Sequence, residues 1–251
     1  MDSPAKPDNQ PDAPRPGQTI RGTLLSHLTN VVQGSTPFIS IFLLIHLSAP
    51  VLANVGGSSL SSQVMLLGRE YYQTAFGEAY LVLLPLTLHP LTATLKRILS
   101  PHSPRPPSSL LTITGYTTLL FLPIHFLTHR LAPASPLPPI GSIGPAELDY
   151  EFVKAGLSAW PLRSWVLYSG LALGVAFHMG EGTHLMWNTW EPHATEKWRS
   201  FGKTTRRVIA AACAFPVISG LFALSQEPLL LFASTLERIH ASFTQSIIFR
   251  I

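Results

Sequence analysis

The stretch that decides the fold is residues 168–190, YSGLALGVAFHMGEGTHLMWNTW. It is apolar enough to cross a bilayer, yet it carries His178, Glu181 and His184. Gly170, Gly174, His178 and Gly182 recur every four residues, which stacks them along one stripe of a helix. Small residues in such a stripe let a second helix, or a flat ligand, approach the backbone. Two readings of the stripe stand side by side. One is a packing seam in which His178 hydrogen-bonds a neighbour. The other is an axial haem ligand, because a porphyrin edge needs the room that a glycine one turn on either side provides.

Composition sets the class. Of 251 residues only 12% are charged and 46% are hydrophobic, and the mean hydropathy is +0.28. These values argue for an integral membrane protein. The 23 prolines and 17 glycines point to broken helices and proline-rich connectors. A single cysteine, Cys213, excludes an internal disulfide and a cysteine metal cluster. The net charge of +4 comes without a basic run interleaved with aromatics, so nucleic acid is set aside as a partner.

Three regions are expected. Residues 1–30 form a disordered, proline-rich tail, 31–225 a transmembrane domain, and 226–251 an amphipathic C-terminal segment lying at the interface. The tail has no apolar core of the secretory kind, and Asp2, Asp8 and Asp12 spoil a mitochondrial presequence. It contains Pro14-Arg15-Pro16, a PxP sequence of the kind that extended peptide-binding grooves recognise, although a plain linker has the same composition. Five apolar stretches follow, at about 35–54, 76–99, 109–131, 164–188 and 206–225, each near the roughly 20 residues that span a hydrocarbon core. The fold class is therefore all-α, a polytopic bundle of five transmembrane helices. A proline-rich loop, about 132–163, separates the third and fourth spans and turns helical through Glu147–Gly156. Eleven of 17 Lys and Arg residues fall on the side of the N-terminus, which places that terminus in the cytosol.

Ionisable side chains inside a membrane are costly and face a partner in the bundle interior. Four consecutive spans each carry one: His46, His89, His125 and His178. Counting about 1.5 Å per residue puts His89 and His178 about 15 Å deep, His46 about 17 Å and His125 about 24 Å. Two candidate axial pairs result, His89 with His178 and His46 with His125, and bis-histidine ligation of haem b would satisfy all four. Haem iron is the only metal expected. Glu181, one turn from His178, reads as a partner for an imidazole or a propionate, or as an ordinary buried acid. His129, beside Arg130, together with His184 and His193, reads as interfacial. A weak internal repeat aligns span one (PFISIFLLIHLSAP) with span three (YTTLLFLPIHFLTH), and span two (YLVLLPLTLH) with span four (YSGLALGVAFH).

The segments QGSTPFISIFLLIHL, TLHPLTATLKRIL, TGYTTLLFLPIHFLTHR and GVAFHMGEGTHLMWN carry a resemblance. Over about residues 30–225 the chain resembles the cytochrome b anchor subunits of succinate dehydrogenase. It is more closely similar to the fungal mitochondrial outer-membrane adapter family whose transmembrane domain is related to those anchors. The resemblance implies a non-enzymatic adapter in lipid homeostasis and vacuole–mitochondrion contact, with its N-terminus in the cytosol. Such adapters recruit a bridge-like lipid-transfer protein through a PxP motif, a role that falls here on Pro14 and Pro16. The flanking Ala13, Arg15, Gly17 and Gln18 offer no large apolar anchor, and Pro104-Arg105-Pro106 is a second candidate. The alternative is a haem b-binding electron-transfer anchor of an oxidoreductase complex. No flavin or nicotinamide fingerprint and no nucleophile motif is present, so redox chemistry would need a partner subunit. A transporter ranks third, since acidic pairs that would couple ions are missing.

Overall fold

Two glycines fold the first helix back on itself. Helix α1 (Pro16–Tyr72) is interrupted at Gly56 and Gly57, and Gly57 adopts φ 58°, ψ −153°, a backbone region that only glycine occupies readily. Beyond the break the chain returns antiparallel: Gly68 abuts Ile45, and the Tyr72 hydroxyl reaches His46 Nδ1 at 3.4 Å. A Cβ on Gly57 would collide with the Glu227 carboxylate, whose Oε1 accepts a hydrogen bond from Ser58 N at 2.9 Å.

The computed structural model describes residues 16–100, 105–190 and 202–250, and these are helical with no strand among them. After α1 come a π-helical turn (Gly77–Leu83) running into α2 (Leu84–Leu99), then α3 (Leu110–Phe126) running into a second π-helical turn (Leu127–Leu131). They are followed by α4 (Tyr150–Ala159), α5 (Pro161–Trp190), α6 (Lys203–Ser225), α7 (Ala233–Phe243) and α8 (Ile247–Arg250). Three of these helices are long and apolar enough to cross a membrane: α1, α3 with its π turn, and α6. The other two stretches expected to span, Gly77–Leu99 and α5, are helical too. Their apolar content is diluted by Glu78, His89 and Lys96 in one and by His178, Glu181 and His184 in the other.

Packing in the long helices is inside-out. Leu44 on α1 and Phe215 on α6 are 76% and 72% exposed, and Ile98, Leu120 and Val208 also point outward. Such a belt is stable against lipid and costly against water. The inward contacts are made by small residues instead. On α5, Gly170 lies against Phe121, Gly174 against Thr118, and His178 fills the space beside Gly115. Where α6 crosses α1, Gly220 faces the Pro50 carbonyl, and Asn54 Nδ2 donates to the Pro216 carbonyl at 2.8 Å. Pro50 and Pro216 each lack an N–H, so the helices loosen where they touch.

The dense apolar core sits at one end, where a cap packs on Ala53 and Met65 of α1, Leu167 of α5 and Leu224 of α6. There α4, α7, α8 and the loop 132–149 bury Ile140, Phe152, Leu157, Ile239, Phe243 and Phe249 in a cap. Asp149 starts α4 by accepting from Glu151 N at 2.8 Å. The buried Lys154 ammonium pairs with Glu151 at 2.6 Å and Glu227 at 3.3 Å, and Glu151 Oε2 accepts from Leu230 N at 2.9 Å. Burial would raise the Glu227 carboxyl, but hydrogen bonds from Ser58 and Lys154 outweigh it and hold the group below the usual range. Arg238 ties α7 to Glu147 at 2.7 Å. The triad links α4, the end of α6 and the Gly57 break, so the cap is riveted to the bundle.

Three boundaries differ from those expected. Helix α1 begins at Pro16, inside the stretch read as a tail to residue 30, and the short amphipathic lead-in expected over residues 19–33 is continuous with the first span. Helix α4 is Tyr150–Ala159 rather than 147–156, since Asp149 is the cap and Glu147 turns to Arg238 and Gly144. The C-terminal segment folds onto α4, with Trp160 5.2 Å from the His240 ring and 5.5 Å from the Phe249 ring.

The α1–α6 crossing is testable. Gly220→Val places branched carbons against the Pro50 carbonyl and should destabilise the bundle by about 1–3 kcal/mol, read as a lowered midpoint of thermal unfolding in detergent. A midpoint equal to wild type would contradict the close approach.

Two histidine layers as the candidate functional site

The structure brings both expected pairs together. The rings of His89 and His178 have centres 6.1 Å apart, and those of His46 and His125 are 6.0 Å apart. None of the four is sealed; each remains half-buried between helices.

The upper layer is built from two equivalent hydrogen bonds. His89 Nδ1 lies 3.1 Å from the Val32 carbonyl and 3.1 Å from Ser35 Oγ. His178 Nδ1 lies 3.1 Å from the Leu111 carbonyl. Only N–H can satisfy a carbonyl, so both imidazoles carry the proton on Nδ1 and leave Nε2 as a lone pair. Gly115 makes this possible, for a Cβ there would sit 2.9 Å from His178 Cε1. The glycine stripe of α5 is thus a seam with α3 and His178 does bond a neighbour, while its second nitrogen stays available.

The lower layer lies at the junction with the cap. Val32 and His46 are fourteen residues apart on α1, and Leu111 and His125 are fourteen apart on α3. The upper rings sit beside Ser35 on α1 and Gly115 on α3, eleven and ten residues before His46 and His125, so at 1.5 Å per residue the layers are about 15–17 Å apart. The depth count from expected span ends put them closer, because it assumed that all spans start level, whereas α1 starts nearly twenty residues before its expected span. The equal spacing matches the internal repeat: α1 with α2 and α3 with α5 use the same carbonyl–imidazole contact.

Several side chains sit elsewhere than expected. His129, read as interfacial, packs inward: its ring centre is 4.6 Å from that of His125, its Nε2 is 3.1 Å from the Tyr168 hydroxyl, and it meets Phe152 and Phe243 of the cap core. The π-helical turn at Leu127–Leu131 sets this direction, while Arg130 turns out to a bidentate pair with Glu78 at 2.7 Å. Glu181 pairs with Arg206 at 2.9 Å rather than with an imidazole. His184 Nε2 accepts from Asn188 at 3.2 Å. His193, Pro14 and Pro104 lie outside the described residues, and Pro16 is the first residue of α1. Tyr72, Tyr168 and Arg69 join the lower layer without any signal in the sequence reading, since all three lie outside or at the ends of the polar-in-apolar pattern that flagged the histidines.

The upper pair has the ring spacing of an axial set. A metal–imidazole bond of about 2 Å on each side of an iron places ring centres roughly 6 Å apart. Axial histidines also donate their other N–H to a carbonyl, as His89 and His178 do. The lower pair has the spacing but not that support: His46 Nδ1 meets a phenol, and His125 Nδ1 is buried with no hydrogen-bond partner. No group of three metal-ligating side chains placed to hold a bare ion occurs among the described residues. No protein-family model matches the chain, and no curated protein and no solved structure is significantly similar to it.

Proposed function

We propose that this chain is a non-enzymatic membrane adapter. In this reading it is a five-span bundle in the mitochondrial outer membrane whose cytosolic tail recruits a bridge-like lipid-transfer protein for lipid homeostasis at organelle contacts. One observation supports it beyond the resemblance: α1 runs without a break from the histidine layers to Pro16, at the basic end of the bundle. That end is defined by contacts. Arg21 donates to the Leu99 carbonyl, Arg97 reaches Thr112, and Arg206 pairs with Glu181, with Lys96, Lys203 and Arg207 beside them. A basic rim is the cytosolic signature, so residues 1–15 depart from the side where a cytosolic partner would wait. The cap, with its own core, would then lie on the opposite side.

A second reading rests on the upper layer. His89 and His178 have the spacing, the tautomer and the carbonyl partners of axial ligands, which favours a haem b-binding electron-transfer anchor of an oxidoreductase complex. Haem held there would supply one-electron redox chemistry. The chain itself would orient both rings through Val32 and Leu111, and the surrounding apolar helices would keep water out.

Two experiments separate these readings. Pro14→Ala with Pro16→Ala should lower pull-down of the lipid-transfer partner at least tenfold while membrane insertion is unchanged; undiminished pull-down rejects the motif. Protein supplied with haem should give a Soret band and, on reduction, sharp α and β bands that vanish in His178→Ala. A featureless spectrum from folded protein leaves the histidines as polar packing and removes the second reading.

A further inference from the structure

The two layers share a repeat but not a chemistry. The upper layer holds two imidazoles, each anchored on a carbonyl. The lower layer gathers three imidazoles, three phenols (Tyr72, Tyr150 and Tyr168) and a guanidinium, with no carboxylate paired to the guanidinium among the described residues. Arg69 Nη1 donates to the Pro145 carbonyl at 2.8 Å, and its Nη2 reaches the Met65 thioether at 3.4 Å, a weak acceptor. Arg69 also hydrogen-bonds Tyr72 and lies close enough to His46 and His129 to act on both electrostatically. It has no ion pair with a carboxylate among the described residues, and Asp149, the carboxylate that acts on it, is engaged as the α4 cap. A half-buried guanidinium beside neutral rings is costly without a counter-anion. The orphaned Nδ1 of His125 points to the same deficit, since it lacks the partner that buried polar atoms almost always have.

We propose that this lower layer binds a phosphate-bearing headgroup at the junction of bundle and cap. Arg69 supplies the charge and a fork suited to phosphate oxygens. His125 Nδ1, which has no partner, supplies a neutral donor, while the Tyr72 and Tyr168 hydroxyls are engaged by His46 and His129. The ring of Phe42, stacked on His46 at 5.3 Å, gives an apolar wall that a lipid glycerol would meet. Haem is disfavoured at this level because His129 packs on His125 at 4.6 Å and neither His46 nor His125 has a carbonyl behind it. The site goes beyond both functional readings and depends on neither the tail nor the upper pair.

The test is calorimetric titration of the full chain in detergent with dihexanoyl phosphatidate, dihexanoyl glycerol and inorganic phosphate. Phosphatidate should bind one to one, the phosphate-free glycerol should not, and Arg69→Gln should weaken binding at least tenfold. Arg69→Lys keeps the charge, so it should fold as wild type and weaken binding less. Phosphatidate binding tighter than inorganic phosphate assigns the headgroup to a lipid; equal binding assigns it to free phosphate, and both support the site. Equal phosphatidate binding by wild type and either Arg69 variant overturns it. So does equal binding of the glycerol, or a second haem per chain that is lost in His46→Ala.

Discussion

An imidazole between apolar helices has to find a partner within the protein, and here the partner is the backbone of the neighbouring helix. The bonds from His89 to Val32 and from His178 to Leu111 satisfy two polar groups that the surrounding apolar side chains cannot. They also fix register, since sliding either helix by one residue would part ring from carbonyl. Each bond is worth only about 1 kcal/mol net, but leaving the groups unmade would cost more than that. The constraint therefore specifies the arrangement more than it stabilises it.

The rest of the architecture follows from where burial is available. The long helices turn large apolar side chains outward, so their mutual contacts are small residues and kinks: Gly170, Gly174, Pro50, Gly220. The cap obeys the opposite rule, burying Phe152, Phe243 and Phe249 almost completely. The Lys154 triad and the Gly57 reversal join the two regimes, and the lower histidine layer lies on that join. This placement explains why one layer is sparse and symmetric while the other is crowded and carries an arginine.

Much of this was legible in the sequence. Histidines in apolar helices, repeated at matched positions, pointed to both pairs, and a four-residue stripe of glycines pointed to a packing seam whose partner, α3, only the structure names. What was hidden depended on partners distant in sequence. Nothing near Gly57 announces that Glu227 will cap the returning arm. His129 looked interfacial because Arg130 follows it, and only the π-helical turn sends the two in opposite directions. Arg69 resembled a loop charge until the hairpin carried it back beside His46. The extent of α1 was legible in part: residues 19–33 read as a short amphipathic lead-in, but nothing local says that it continues unbroken into the first span.

The most direct measurement is disulfide cross-linking in native membranes, in a Cys213→Ser background. Cysteines replacing Ser35 and His89, and cysteines replacing Gly115 and His178, should cross-link with similar efficiency, because each pair is in contact in its half of the repeat. Cysteines replacing Ser35 and His125 belong to different layers and should not. Cross-linking in one half only, or between layers, would contradict the two-layer register on which the account rests.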